Sequence, residues 1–183
     1  YQATAMNEGH AVTFAELAED DFTGIGISFG GGMVNVAVAY KTIPALTFSV
    51  ARGGDWIDSN AAKVLGMPSS KVTYIKESGM DIRNPEGRDQ EAIAIYYRNL
   101  ISYTLTNIKN RFQMGRDMPT FHDPVDIVCA GGGSMIKGFI EVFQQEFSKV
   151  KFPIPIRSIR MADEPLHSVC KGCLVAAISS ADG

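Results

Sequence analysis

The chain has 183 residues, enough to enclose one sizeable core with a small appendage. Hydrophobic residues make up 45% and charged residues 20%, the ordinary balance of a globular protein that stays in water. The net charge of −3 gives no reason to expect a nucleic-acid or anionic-membrane partner, and no apolar run approaches the ~20 residues of a membrane span.

In chain order, apolar residues at helical spacing predict a helix over 5–18, broken by "EDDFTG". Three strands are predicted over 24–29, 33–40 and 45–50, with connections short enough for an antiparallel meander. Asp55 suits an N-cap for a helix over 56–65, with Gly66 as its stop. "SSKVTYIKE" reads as a short helical or irregular piece, and "SGMDIRNPEGRD" as an exposed, turn-rich stretch. A long helix is predicted over 90–114, ended by "GRDMPTFHDP". A strand (125–130), a helix (134–150), a strand (154–159) and a last helix (165–179) complete the pattern. Three meandering strands followed by two alternating units predict an α/β fold, a mixed five-stranded sheet flanked by helices.

Glycine is the unusual feature. "GISFGGGMVNVAV" places Gly30, Gly31 and Gly32 between two strands, and "DIVCAGGGSMIKGF" places Gly131, Gly132 and Gly133 between a strand and a helix. Without Cβ atoms such runs let backbone N–H groups turn toward one point and approach an anion, phosphate above all. A helix N-terminus adds to that attraction. Taken singly, the first triplet equally suits a loose hairpin and the second a flexible connection. Neither is followed by the Gly-Lys-Ser/Thr of a P-loop, and "GIG" at Gly24 lacks the later glycine of a dinucleotide fingerprint. A third glycine pair, Gly53–Gly54 in "ARGGD", lies at the end of another strand, so three glycine stretches border one sheet.

Other chemistry is weaker. Cys170 and Cys173 in "CKGC" have redox or metal spacing, but no second pair or histidine cluster completes a zinc site, and they read as small buried helix residues. Cys129, Cys170 and Cys173 make no disulfide framework, which points to a reducing, cytoplasmic setting with no secretory leader. His10, His122 and His167 are scattered. Tyr96, Tyr97 and Tyr103 read as helix packing. No metal ligands are assigned.

Five stretches in order carry a resemblance to the actin-like ATPase superfamily, nearest its bacterial MreB and MamK branch. "NEGHAV" (7–12) resembles the first connecting helix, "GISFGGGMVNVAV" the second phosphate motif and "SVARGGDWID" (49–58) the segment after the third strand. "DIVCAGGGSMIKGF" resembles the adenosine motif and "EPLHSVCKGCLVAA" (164–177) the closing helix. The match covers the second half of that fold, ribonuclease-H-like, and the chain's start at Tyr1 suggests a piece of a longer protein. The resemblance divides the chain into a nucleotide-binding half-domain, 1–67 and 89–183, and a short insertion, 68–88, where the family has its outer subdomain.

The resemblance implies ATP or ADP with Mg²⁺ as ligands of the complete protein. It makes Glu8 the group that orients the attacking water. Gly30, Gly31 and Gly32 would hold the β- and γ-phosphates. Gly131, Gly132 and Gly133 would face the α-phosphate and adenosine, with Met135 and Ile136 near the base. Gly53 and Gly54 would lie near the ribose, and Lys71 at the sugar or purine edge. Two positions depart from the family. Its metal-shell aspartate is Ser28, and its following threonine is Met33. A neutral hydroxyl is a far weaker partner for hydrated Mg²⁺. Binding is expected to rest on backbone donors, and hydrolysis to be slow or lost. The implied function is ATP binding and hydrolysis coupled to filament assembly. Its partners are other copies and the absent N-terminal half. The alternatives are a non-polymerising nucleotide-binding scaffold, or a chaperone- or sugar-kinase-type relative.

Overall fold

The structure is a computed structural model and describes residues 3–115 and 118–181. Its centre is a five-stranded sheet in the order β3-β2-β1-β4-β5. The strands are β1 (Gly24–Phe29), β2 (Val34–Tyr40), β3 (Ile43–Val50), β4 (Val125–Ala130) and β5 (Ile156–Met161). The first three form the predicted meander, and β4 and β5 add in parallel on the other side of β1. Six helices cover it: α1 (Glu8–Glu16), α2 (Gly54–Leu65), α3 (Ser69–Glu77), α4 (Gly87–Met114), α5 (Phe139–Ser148) and α6 (Ser168–Ala181). Among the described residues no helix is long and apolar enough to cross a membrane.

Strand alternation sorts the two faces. Ile25, Ile27 and Phe29 of β1 point with Val34, Val36 and Val38 into the main core, which includes residues of α2, α4 and α5. Val12, Leu17, Val128, Ala130 and Ala162 make a smaller core on the opposite face, under α1 and α6. There α1 lies almost on the sheet backbone, because two glycines meet. A Cβ on Gly26 would sit 2.1 Å from the Gly9 carbonyl oxygen, and one on Gly9 2.6 Å from that of Gly26. This contact fixes Glu8, one residue earlier, beside the end of β1.

Several boundaries differ from the sequence reading. Helix α1 starts at Glu8 because the Asn7 side chain accepts a hydrogen bond from the His10 amide at 3.3 Å and caps it. Helix α2 starts at Gly54 rather than after Asp55, capped by Gly53, and stops as expected at Gly66, which is left-handed. Helix α5 begins only at Phe139. After Gly131 the chain makes a short 3-10 turn (Gly132–Ser134), and Gly138, with φ +85°, re-aims the backbone. The second triplet therefore does not open a long helix, so the helix-dipole argument for it fails. The stretch over 78–89 is not wholly exposed: Met80 and Ile82 are buried, and the Ile82 amide donates to the Lys137 carbonyl at 3.0 Å. Cys170 and Cys173 are exposed rather than buried, since α6 packs on α1 through other residues. Of the segment expected to end α4, residues 116 and 117 lie outside the described residues.

Candidate nucleotide cleft

β1 and β4 are adjacent and parallel, so their C-terminal ends release both glycine triplets on the same rim of the sheet. Open α/β sheets place ligands at such ends. A cavity of about 620 Å³ lies there, and its walls include Gly30, Gly31, Gly54, Gly132 and Gly133 together with Met135, Ile136, Lys76 and Asp58.

The loops are held against one another by their backbones. Gly54 N–H donates to the Gly30 carbonyl at 3.0 Å and Asp55 N–H to the Gly31 carbonyl at 2.9 Å. A Cβ on Gly53 would fall 2.3 Å from the Gly31 oxygen, so only glycine lets the two stretches close. The first amides of α2 are thereby spent on protein carbonyls. Gly53 serves packing and Gly54 lines the cavity. Gly30 N–H donates to the carbonyl of the half-exposed Met33 at 3.0 Å, closing a tight turn with Gly31 and Gly32 at its tip. A Cβ on Gly32 would meet nothing within 4 Å. Gly131 lies behind the cavity, its amide donating to the Pro165 carbonyl at 2.8 Å.

Two lysines line this space, Lys76 and the exposed Lys137, but not Lys71. Lys71 is exposed and outside the cavity wall. Lys76, five residues on and turned ~140° around α3, lines it. The Lys76 ammonium sits 2.5 Å from Asp58 Oδ1, both side chains being largely buried. Thr73 Oγ1 donates to Asp58 Oδ2 at 2.7 Å. The three residues form a charge-neutral unit whose one cation is held by Asp58, and an ammonium at the cavity wall suits a phosphate or a ribose hydroxyl. Burial, with Asp58 nearby, holds the Tyr97 phenol protonated far above the usual tyrosine range.

Glu8 stands on the α1 side of β1, behind the first triplet. Its Oε2 accepts from Ser28 Oγ at 2.9 Å and from Asn35 Nδ2 at 3.0 Å. Ser49 Oγ in turn donates to Asn35 Oδ1 at 2.5 Å. Ser28, Asn35 and Ser49 are cross-strand partners on one rung of β1, β2 and β3. Three small polar residues thus run across the sheet and end on one carboxylate oxygen. An aspartate in place of Ser28 would set a second carboxylate against Glu8, an arrangement that needs a cation or a shared proton. With serine the pair is satisfied by a hydrogen bond alone. Among the described residues no group of three or more His, Cys, Asp or Glu side chains is placed to hold a metal ion.

Of the residues singled out in the sequence, the structure brings Gly30, Gly31, Gly54, Gly132, Gly133, Met135 and Ile136 to one cavity wall, and leaves Glu8, Ser28, Gly32, Met33, Gly53, Lys71 and Gly131 outside it. Sequence reasoning missed Asp58, Thr73, Lys76, Asn35 and Ser49. Asn35 and Ser49 read as the polar face of alternating strands; only the register shows that they share a rung. The signal for Lys76 was its spacing from Thr73, which puts both on one helix face.

The fold matches known structures across nearly the whole chain. Ethanolamine utilization protein EutJ from Carboxydothermus hydrogenoformans aligns with TM-score 0.66 and 19% identity, over 93% of this chain and 54% of that one. A non-polymerising MamK mutant bound to AMPPNP gives 0.72 and 18%, over 93% and 58%. MreB 5 of Spiroplasma citri bound to AMPPNP gives 0.66 and 14%, over 96% and 59%. The chain thus spans little more than half the length of these structures. They show an actin-type fold, of which the sheet and its helices form one half. No curated protein sequence matches the chain. The family profile described as Volactin matches residues 1–177, and the chain belongs to that family.

Proposed function

We propose that this chain supplies one wall of a nucleotide cleft in an actin-type protein, that ATP or ADP with Mg²⁺ binds there, and that binding drives self-assembly into filaments. The observation that carries the reading is the convergence of both glycine loops and Lys76 on one cavity. Gly32 has open space, so phosphate oxygens can approach its backbone. Lys76, released from Asp58, supplies the positive charge. Residues 68–88, which include α3, act as the reduced outer subdomain closing one side. AMPPNP in two of the similar structures and a MamK double helical filament among them support the ligand and the assembly.

Hydrolysis requires a water in line with the γ-phosphorus and the leaving ADP oxygen. Glu8 Oε2 is occupied by two donors, which restrains the carboxylate and leaves Oε1 as the acceptor that would orient that water. Mg²⁺, when bound with the nucleotide, neutralises phosphate charge; Ser28 offers it no carboxylate. Turnover is accordingly slow. The same serine supports a second reading, a scaffold that binds nucleotide without turning it over.

The test is phosphate release from ATP and Mg²⁺ by the full-length protein across a range of concentrations, with Glu8→Ala as control and sedimentation in parallel. Turnover that rises above a threshold concentration and vanishes in the variant supports the first reading. Sedimentable polymer without turnover leaves nucleotide binding and assembly standing and removes hydrolysis. Neither assembly nor turnover, with nucleotide still bound, leaves the scaffold.

A further inference from the structure

Cys170 and Cys173 stand one turn apart on α6, and both are exposed. The neighbouring cation does not cover them, because the Lys171 ammonium is held 2.6 Å from Glu164. Between the thiols lies Gly172, the point where α6 crosses α1. A Cβ there would fall 1.7 Å from the Ala11 carbonyl oxygen and 2.4 Å from its carbonyl carbon, so the two helix backbones touch. Ala11 is one turn from Glu8 on α1. Cys173 also borders a cavity shared with Met6, Asn7 and His10 at the start of α1.

Residues three apart on a helix hold their Cβ atoms about 5–6 Å apart. A disulfide needs about 3.5–4.5 Å. Closing a bond between these thiols therefore draws the backbone over 170–173 in by about 1 Å. In an exposed helix that adjustment would dissipate locally. Here the residue inside the closing loop is pressed against another backbone, and α1 must move with it.

We propose that Cys170 and Cys173 form an oxidisable dithiol whose disulfide shifts α1 through the Gly172–Ala11 contact. The oxidant is a peroxide. One thiolate attacks an oxygen of hydrogen peroxide, an S–O bond forms as the O–O bond breaks, and hydroxide leaves. The second thiolate attacks that sulfur, the S–S bond forms, and the S–O bond breaks to release a second hydroxide. Together with the two protons lost by the thiols, these make two waters. The thiols are oxidised and the peroxide is reduced.

The experiment treats the reduced full-length protein with hydrogen peroxide and follows peptide mass and amide exchange. The expected result is loss of two hydrogens in the peptide containing both cysteines, within single chains. Exchange of the α1 amides should rise roughly threefold or more as local opening becomes easier. Cys170→Ser and Cys173→Ser, both at exposed positions, should each abolish the rise. Separate oxidation of the two cysteines, disulfides between chains, or a disulfide that leaves α1 exchange unchanged would each overturn the proposal. None of these readouts depends on nucleotide.

Discussion

The two glycine triplets look alike in sequence and do different work. In the second, Gly131 has φ +88°, and a Cβ on it would lie 2.5 Å from the Phe29 carbonyl oxygen. A Cβ on Gly133 would be 3.0 Å from the same oxygen. Those glycines let the β4 loop pass over the end of β1. In the first triplet a Cβ on Gly30 would also be tight, 3.0 Å from the Met33 carbonyl oxygen, but one on Gly31 would make only ordinary contact with Asp55 and one on Gly32 would meet nothing within 4 Å. Gly131 and Gly133 are glycine because protein backbone is close. Gly31 and Gly32 keep space that the protein itself does not fill.

The sharpest way to break this comparison is Gly131→Ala. Left-handed strain and the clash with Phe29 should together cost about 3 kcal/mol, read as a lower urea midpoint at unchanged m. A shift below about 1 kcal/mol would mean the loop can retreat. Next is Asn35→Leu, which leaves Glu8 with one donor fewer and the Ser49 hydroxyl without its acceptor. A loss of about 2 kcal/mol is expected by the same denaturation, with slower turnover if Glu8 positions water. Gly32→Ala sharpens the contrast from the other side. Stability should change by less than about 0.5 kcal/mol, while nucleotide affinity falls roughly tenfold by calorimetry.

The smallest effect concerns pH. Hydrogen bonds from Arg83 hold the Asp81 carboxyl at about 2, below the ordinary 3.8. A depressed carboxylate contributes stability above its unfolded pKa and loses it as pH falls through the folded one. Between about pH 4 and 2 the 79–83 segment should loosen from Lys137 of the second loop, seen as faster exchange of the Ile82 amide. The site is exposed to solvent, so global stability should barely register it.

These contrasts explain what the sequence could reveal. Strand alternation and turn spacing predicted the meander and a mixed five-stranded sheet, because side-chain period and short connections are local, whereas the strand order came from the structure. The triplets announced themselves by composition. Their division of labour was hidden, because it depends on Phe29 lying under Gly131, about a hundred residues away. The rung Ser28–Asn35–Ser49 needed the strand register, and the choice of Lys76 over Lys71 needed the rotation of α3. The late start of α5 followed from a left-handed Gly138 packed against Asp81 and Arg83, which no helical pattern encodes. Exposure of the CKGC thiols likewise depended on which face of α6 meets α1.

The most direct measurement is calorimetric binding of AMPPNP with Mg²⁺ to the full-length protein and to its Lys76→Ala and Lys71→Ala variants. A cleft formed by both glycine loops and Lys76 predicts saturable binding, weakened about tenfold or more by Lys76→Ala and unchanged by Lys71→Ala. No binding to the full-length protein, or equal effects of the two variants, would contradict it.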